Sequence, residues 1–326
     1  MNYTVILKDI ARGMHGARDL TIEEASLIYG AMLDGGVPEL EMGAILIALR
    51  MKGESADELL GFYQACETRL YPLTPPPGAL RPVVIPSYNG ARHQPNLAPL
   101  LALLLVKFGV PVLIHGTLES QGRTTSAYIL RELGILPCIH LQQANTALAN
   151  EGIAFVPIAV LSPGLADLLA LRNRLGVRNT AHTLVKMISP FKSDSLRLVS
   201  VSHPDYLNKM RDFFIGAGLR ALIMRGTEGE AFANSKRRPD LWYCEDGKEQ
   251  LLFEAEIGPL KTLPGLPESI DAVHTARWIE EALTGRHPIP LPLINQLACC
   301  LYGAGYTSDM NQAKAIVAME ISSLAA

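Results

Sequence analysis

The hydrophobic pattern of this chain changes character near residue 75. Before that point, apolar residues recur every three to four positions, which predicts amphipathic helices. Residues 21–24 (TIEE) and 55–58 (SADE) each place a Ser or Thr three residues ahead of a Glu, the capping-box pattern that starts a helix. We therefore expect one helix from residue 21 to Asp34 and another from residue 55 to about Leu70.

A third helix is predicted between these two. Pro38 suits its first turn, where a missing backbone N–H costs nothing, and the helical pattern continues to Arg50. We expect this helix to bury Leu40, Ile45, Ile47 and Leu49.

A proline-rich stretch at residues 71–78 cannot continue a helix and indicates a domain boundary. After it, β-rich runs alternate with helical runs, which predicts an α/β fold with a mainly parallel sheet. The predicted strands are Val83–Ile85, Val110–Ile114, Ala154–Ile158, Leu196–Val201 and Ala221–Met224. The predicted helices are Leu97–Phe108, Thr125–Leu133, Asp205–Ile215, Ala272–Leu283, Leu293–Tyr302 and Asn311–Ile321. The polar stretch 234–267 is expected to be a hairpin or an irregular insertion. The predicted domains are 1–75, all helical, and 76–326, α/β.

Composition narrows the class of protein. The chain has 326 residues, of which 48% are hydrophobic, enough for a large core. Its five cysteines show no CxxC spacing, so we expect reduced, buried thiols, a cytoplasmic location and no zinc site. No secretory leader is expected at the N-terminus, and the longest apolar run, Leu97–Val106, is too short to span a bilayer.

Charge is distributed unevenly along the chain. The net charge is −3, yet residues 76–200 carry 11 Lys and Arg against five Asp and Glu, a net charge of +6. One interpretation is chance variation among solvated surfaces, and the other is a local surface that binds anions.

The stretch Pro86–Arg92 (PSYNGAR) is the main chemical candidate. It follows a predicted strand and precedes a predicted helix, which is where α/β proteins bind phosphate through backbone N–H groups. Such turns usually need two or three glycines so that the backbone can approach the anion, and this turn has one. The turn therefore lies where a phosphate site is expected but lacks the glycines that usually let the backbone approach the anion.

These features together resemble the anthranilate phosphoribosyltransferase family over nearly the whole chain. In that family a GTGGD turn, an Asn-x-Ser-Thr helix start and a KHGNRS loop fall where this chain has residues 86–90, 96–99 and 114–119. The resemblance implies a class IV phosphoribosyltransferase-like fold. It also implies a homodimer, and an N-terminal helical domain completed by helices from about residues 163–190.

The departures from the family pattern concern the groups that bind magnesium pyrophosphate. Bulky or donor-poor residues replace the family's glycines, hydroxyls, lysine, asparagines and metal-binding aspartate, at Pro86, Tyr88, Asn89, Ala98, Pro99, Ile114, Thr117, His182 and Gly229. Several lost donors and a lost carboxylate make tight binding of this ligand unfavourable. The predicted remnant pocket consists of Ser87, Tyr88, Asn89, Gly90, Asn96, His115 and Gly116. His115 is open to a second interpretation, a satisfied histidine at a strand end. No catalytic residue is predicted. Glu228 and Glu230 could bind a metal, but two carboxylates on a Gly-rich turn are a weak signal, so Glu230 is only a weak metal candidate.

The PSYNGAR turn, residues 17–20 (ARDL) and His203-Pro204 resemble the YbiB-like branch of this family, a second TrpD group outside tryptophan synthesis. That resemblance implies DNA binding with little sequence preference. Candidate nucleic-acid-binding residues are Arg92, Arg123, Arg172, Arg174, Arg178, Lys186 and Lys192. Surface salt bridging is the alternative for the arginines at 172–178.

The leading hypothesis is a non-catalytic, homodimeric protein that binds DNA, with RNA as a second candidate partner, without a cofactor and without a membrane. The alternative is a phosphoribosyltransferase that uses Mg²⁺ and acts on anthranilate or a similar aromatic amine. A weaker third hypothesis is a small-ligand sensor that uses the old cleft.

Overall fold

The computed structural model describes residues 2–13, 16–192, 194–256, 258 and 265–324. Its contacts divide the chain into two compact units, one of residues 1–72 and 158–190, the other of residues 73–157 and 191–326. The predicted boundary after residue 75 lies three residues beyond the observed one.

The first unit is entirely helical. Its helices are α1 (Tyr3–Ile10), α2 (Ile22–Leu33), α3 (Glu39–Lys52), α4 (Ala56–Glu67), α8 (Ile158–Leu161), α9 (Pro163–Ala170), α10 (Arg172–Leu175) and α11 (Ala181–Leu184). Both predicted capping boxes are confirmed, at Thr21 with Glu24 and at Ser55 with Glu58. The Glu58 carboxylate is fully buried, and it also accepts hydrogen bonds from the Leu20 N–H and from Lys52 Nζ.

The predicted burial of α3 is wrong for two of its four residues. Ile45 and Leu49 are buried, but Leu40 is 83% exposed and Ile47 is 37% exposed. With exposed Ala44 and Met51, they form an apolar stripe along the outer face of α3, at positions i, i+4, i+7 and i+11. The predicted helix is confirmed, but apolar periodicity cannot distinguish a core face from an exposed one.

The second unit is built on an eight-stranded sheet, in agreement with the predicted α/β class. The strands are β1 (Val83–Ser87), β2 (Val112–Gly116), β3 (Ile153–Pro157), β4 (Leu196–Val201), β5 (Ala221–Thr227), β6 (Glu230–Ala233), β7 (Leu241–Glu245) and β8 (Lys248–Phe253). The order is β3-β2-β1-β4-β5-β7-β8, with β6 paired to the end of β5. β1 to β5 are parallel, and every residue of β1 to β4 is buried, as expected of a sheet covered on both faces.

Helices cover the two faces of this sheet. They are α5 (Ala98–Lys107), α6 (Ser126–Glu132), α7 (Leu141–Glu151), α12 (Pro204–Gly216), α13 (Ala272–Leu283), α14 (Leu291–Ala304) and α15 (Met310–Leu324). The main core lies between one face of the sheet and α5, α6, α13, α14 and α15. The predicted hairpin in 234–267 is the pair β7–β8, while residues 257 and 259–264 of that stretch lie outside the described residues.

All five cysteines are buried free thiols. Among the described residues, no helix combines the length and the apolar character needed to cross a bilayer.

Candidate functional site

The turn after β1 has the backbone geometry of a phosphate site. β1 ends at Ser87, and α5 begins at Ala98. Gly90 adopts a left-handed φ of 68°, which a residue with a side chain would reach only with strain. Gly116 on β2 has no room for a side chain, because a Cβ there would lie 1.7 Å from the Ser87 carbonyl oxygen.

The inner part of this turn is filled by the carboxylate of Glu230. Its Oε1 accepts hydrogen bonds from the backbone N–H groups of Asn89, at 2.9 Å, and Gly90, at 2.7 Å. Its Oε2 accepts one from Ser87 Oγ. Glu230 is fully buried, and burial raises the pKa of its carboxyl, while the hydrogen bonds of Ser87, Asn89, Gly90 and Asn96 act against that rise.

The outer part of the turn is filled by a second carboxylate, that of Glu228. Oε1 accepts from the N–H groups of His93, at 2.9 Å, and Gln94, at 3.1 Å, and Oε2 accepts from the Arg92 N–H at 3.1 Å. The Arg123 guanidinium lies 3.4 Å from Glu228 Oε2. Five backbone donors between residues 89 and 94 are therefore held by two carboxylates.

A tight hairpin carries these carboxylates into the turn. β5 and β6 are joined by Glu228 and Gly229, whose positive φ values of 54° and 97° match the requirements of a two-residue hairpin. A left-handed conformation is uncommon for Glu and costs free energy. The hydrogen bonds that Glu228 accepts at residues 92–94 offset that cost.

Other polar side chains fix Ser87 beneath Glu230. Asn96 Nδ2 lies 3.1 Å from Ser126 Oγ, which lies 2.7 Å from Ser87 Oγ. All three side chains are buried, so the chain from Asn96 to Glu230 is shielded from water. Asn96 Oδ1 also accepts from the N–H of Ala98, the first residue of α5, at 3.2 Å.

This arrangement does not fit a magnesium ion. Magnesium takes free carboxylate oxygens and water in an octahedral shell. Both oxygens of Glu228 and Oε1 of Glu230 each accept two hydrogen bonds from the chain, and Oε2 of Glu230 accepts one from Ser87 Oγ. Two accepted bonds occupy both lone pairs of an oxygen. Within the described ranges, no group of three or more His, Cys, Asp or Glu side chains is arranged to hold a metal ion.

The remaining members of the predicted pocket are not all gathered around these carboxylates. Tyr88 is buried, and its carbonyl oxygen accepts from Thr117 Oγ1. His115 pairs with Pro86, one residue before Ser87, so its side chain lies on the opposite face of the sheet from Ser87. Both ring nitrogens of His115 lack a hydrogen-bond partner among the described residues, and burial lowers its pKa to about 4. His115 is therefore neutral at pH 7, and the interpretation as a satisfied strand-end histidine is wrong.

The predicted cations of the second unit differ in exposure. Arg92 and Lys192 are exposed. Arg123 is 10% exposed, and its guanidinium donates to the Gly90 carbonyl oxygen at 3.0 Å as well as contacting Glu228. Through these two contacts Arg123 stabilises the turn.

In the helical unit, three of the predicted cations act electrostatically on His182. We call Arg172, Arg178 and Lys186 the 172–186 cluster. Burial lowers the pKa of His182 to about 3, and Arg178, Arg172 and Lys186 lower it further. Burial and Arg178 lower the pKa of Lys186 to about 8, against the opposing effect of Glu54. The three cations are therefore close enough to act on the same imidazole.

Two predicted residues of this unit are placed less favourably for a nucleic-acid contact. Arg174 pairs with Glu39 at 3.1 Å, as in the salt-bridge alternative. Lys186 is 8% exposed, so it cannot form a surface contact of its own, because the packing of α11 encloses it. It can act only through its charge, behind Arg172 and Arg178.

Sequence reasoning missed two contributors to these sites. Glu228 was considered only as a weak metal ligand, although a carboxylate next to a glycine-poor turn could itself have suggested an internal anion. Arg50, whose guanidinium donates to the Arg178 carbonyl oxygen at 2.7 Å, gave no signal, because 128 residues separate the two.

The chain is similar to known proteins over most of its length. Residues 4–68 match the helical bundle domain of a glycosyl transferase family. The chain is 45% identical to the Escherichia coli protein YbiB over 97% of this chain and 99% of that protein. It is 26% identical to anthranilate phosphoribosyltransferase from Novosphingobium aromaticivorans, over 89% of this chain and 88% of that one.

The fold has a close counterpart among solved structures. The crystal structure of anthranilate phosphoribosyltransferase from Thermus thermophilus superposes with a TM-score of 0.77 and 23% identity, covering 100% of this chain and 96% of that chain. The predicted fold class, a helical N-terminal domain with a mainly parallel α/β domain, is thereby confirmed.

Proposed function

Because the chain belongs to the anthranilate phosphoribosyltransferase-like superfamily of glycosyltransferase family 3, we propose that it is a non-catalytic member that binds nucleic-acid backbones. Its ligand is DNA, or RNA with the same phosphodiester chemistry. The observation that carries the proposal is the presence of two features in one chain. A phosphate-type turn is filled by the chain's own carboxylates, and a cluster of cations lies elsewhere.

The filled turn argues against transfer of phosphoribose. A pyrophosphate group would need the backbone N–H groups of residues 89–94. Five of these groups already donate to the carboxylates of Glu228 and Glu230. It would also bring negative charge next to two carboxylates, and like charges at close range repel strongly in a buried setting. The turn therefore favours its present occupants over a phosphorylated substrate.

The 172–186 cluster argues for an anionic ligand. Arg178 lowers the pKa of Lys186, and all three cations lower the pKa of His182, so positive charge is concentrated in this part of the helical unit and favours a nearby anion. Arginine suits phosphate because its planar guanidinium donates two parallel hydrogen bonds. Backbone phosphates carry no sequence information, so binding is expected to be indifferent to sequence and steeply dependent on salt.

Two assays separate this function from the enzymatic alternative. In mobility shifts, unrelated DNA fragments should be retarded alike at low salt and released as salt rises. In calorimetry, phosphoribosyl pyrophosphate with Mg²⁺ should give no binding heat at millimolar concentration. Absence of any shift at low salt would refute nucleic-acid binding, and micromolar binding of phosphoribosyl pyrophosphate with turnover would establish the transferase instead.

We further propose that the protein acts as a homodimer. The stripe formed by Leu40, Ala44, Ile47 and Met51 on α3 is an apolar surface of the kind that partners cover. A second copy of the chain supplies an identical stripe, as a two-fold interface requires. Two copies would also double the cationic surface offered to a long polyanion.

Charging this stripe should separate the protomers. We expect the double substitution Leu40→Glu with Met51→Glu to convert a dimer into a folded monomer, because both side chains are exposed in the single chain. Light scattering after gel filtration gives the mass, and circular dichroism reports folding. Leu27→Glu on α2, at a residue 63% exposed, is the matched control and should stay dimeric. A monomeric wild type at micromolar concentration would contradict the proposal.

Lys186 gives the binding a pH dependence. Since its pKa is about 8 in the free protein, raising the pH from 7 to 9 discharges it and should weaken DNA binding by roughly three- to tenfold. Raising the pH from 7 to 9 should also increase the free energy of unfolding. The reason is that an unfolded lysine keeps its proton to higher pH, whereas the folded protein disfavours the charged form of Lys186. Lys186→Met should bind more weakly at pH 7 and lose this pH dependence, as measured by fluorescence anisotropy. An unchanged pH profile in that variant would show that Lys186 is not the titrating group.

A further inference from the structure

A cavity of about 360 Å³ lies within the helical unit, between the end of α2, the start of α3, and helices α9 and α10. Its apolar lining includes five buried side chains, those of Met32, Leu33, Val37, Met42 and Leu168. Ligand sites in proteins are concave and mostly apolar, with volumes of about 300–1,000 Å³. The two methionines are flexible side chains that adapt to different ligand shapes. The cavity therefore has the size and the lining of a site for a small apolar molecule.

Gly43 leaves one wall of this cavity open. It lies inside α3 and lines the cavity, although glycine is among the least favourable residues in a helix interior. Close packing does not require a glycine at this position, because a Cβ there would have no atom within 4 Å beyond the local helix backbone. Packing within the chain therefore does not explain Gly43, whereas an open cavity does.

The charged side chains that line the cavity carry a net negative charge. Arg174 Nη1 and Nη2 donate to the two carboxylate oxygens of Glu39, at 3.3 and 3.1 Å, and the pKa of Glu39 is lowered by this partner. This pair is neutral as a whole. Asp167, also in the lining, is exposed and forms no ion pair among the residues that the structure describes. One carboxylate is therefore left to meet a cation.

We propose that this cavity binds a small molecule with an apolar body and one cationic amine, with the body beside Met32, Met42 and Leu168 and the amine beside Asp167. An amine can pair with Asp167 while the Arg174–Glu39 pair stays intact. An anionic group would instead have to displace Glu39 from Arg174, and it would lie in the same cavity as Asp167. The site shares no residue with the turn at 87–94 or with the 172–186 cluster, and the inference does not rest on nucleic-acid binding.

Titration of the full chain with primary n-alkylamines, from hexylamine to decylamine, tests the proposal. Each methylene that leaves water for the cavity should tighten binding by about fourfold, until the cavity is full and the affinity reaches a plateau. Octanol, which has an apolar body of the same length without the charge, should bind more weakly than octylamine. Octanoate should bind most weakly of the three. Isothermal titration calorimetry below the micelle concentration measures all of these affinities.

Two variants locate the site. Gly43→Leu places a side chain in the cavity and should weaken octylamine binding by about tenfold or more, with no fall in melting temperature, because leucine is the better helix former. Asp167→Asn should weaken octylamine binding by about two- to fivefold and leave octanol binding unchanged. The matched controls are Gly216→Leu, at the end of α12 where a Cβ also has open space, and Asp57→Asn, at an exposed acid on α4. Both controls should bind octylamine as wild type does.

Absence of saturable binding by every alkylamine would overturn the proposal. Octanoate binding as tight as that of octylamine would overturn the assignment of an amine, and wild-type affinity in a folded Gly43→Leu variant would overturn the location. If that variant does not fold, the selective effect of Asp167→Asn on octylamine decides the question, because Asp167 is exposed. Light scattering identifies the other possible occupant: a changed protomer association in Gly43→Leu, without amine binding by wild type, would show that a second copy fills the cavity. DNA binding is measured separately, so either claim can fail without the other.

Discussion

Replacing Arg172 and Arg178 together by glutamine is expected to weaken binding of duplex DNA by roughly a hundredfold at low salt. Each guanidinium can make charge-assisted hydrogen bonds to a phosphate, worth about 1.5–3 kcal/mol, and tenfold in affinity corresponds to about 1.4 kcal/mol. The salt dependence should change as well. Loss of two phosphate contacts should make the plot of log affinity against log salt less steep by about two.

Fluorescence anisotropy with two unrelated duplexes measures both effects, and the loss should be the same for each sequence. Arg12→Gln is a suitable control, because its side chain is 61% exposed in the same helical unit and its contacts, with Asp9 at 3.6 Å and the Lys8 carbonyl oxygen at 2.8 Å, stay within α1 and the residues that follow it. Urea unfolding of each variant shows whether the helical unit remains intact. If the double variant folds and keeps the wild-type affinity and salt slope, the 172–186 cluster is not part of the DNA-binding surface.

The second large effect is on stability. Glu230→Ala is expected to lower the free energy of unfolding by about 3 kcal/mol or more. The substitution leaves the N–H groups of Asn89 and Gly90 buried without an acceptor and leaves Ser87 Oγ with Ser126 Oγ as its partner, and an unsatisfied buried donor costs about 1–3 kcal/mol. It also leaves a cavity where a fully buried side chain stood.

Glu230→Gln separates the contribution of hydrogen bonding from that of charge. The glutamine oxygen can still accept from Asn89 and Gly90, and its amide can donate to Ser87 Oγ, so we expect less than half the loss seen with alanine. Chemical denaturation at pH 7 measures both variants, with Glu249→Ala as the control on an exposed pair. If Glu230→Ala is as stable as wild type, the carboxylate does not hold the turn together.

The parallel sheet and the capped helices could be predicted because their signals are local. The strands are short apolar runs of β-branched and aliphatic residues, and the capping boxes occupy four consecutive positions at Thr21 and Ser55. The phosphate-type turn could also be located, since a strand, a turn and a helix follow one another directly between Val83 and Lys107.

What could not be predicted depends on contacts between residues far apart in sequence. Glu230 reaches the turn across 141 residues from Asn89, through the position of β5 in the sheet and the hairpin that follows. The same holds for Arg123, whose partner Glu228 is 105 residues away, and for Lys186, which packing of the helical unit encloses. The sequence indicates which cations and acids could contact ligands. Only the fold determines which of these side chains already pair with other groups of the same chain.

The most direct test of the account is the salt dependence of DNA binding by the wild-type protein, measured with two unrelated duplexes by fluorescence anisotropy. The account predicts that both duplexes bind equally and that affinity falls steeply with salt, with a log–log slope of about −2 or steeper. Absence of binding at low salt, or a slope near zero, would contradict the claim that this chain keeps a transferase scaffold, fills its phosphate turn with carboxylates and binds polyanions through its arginines.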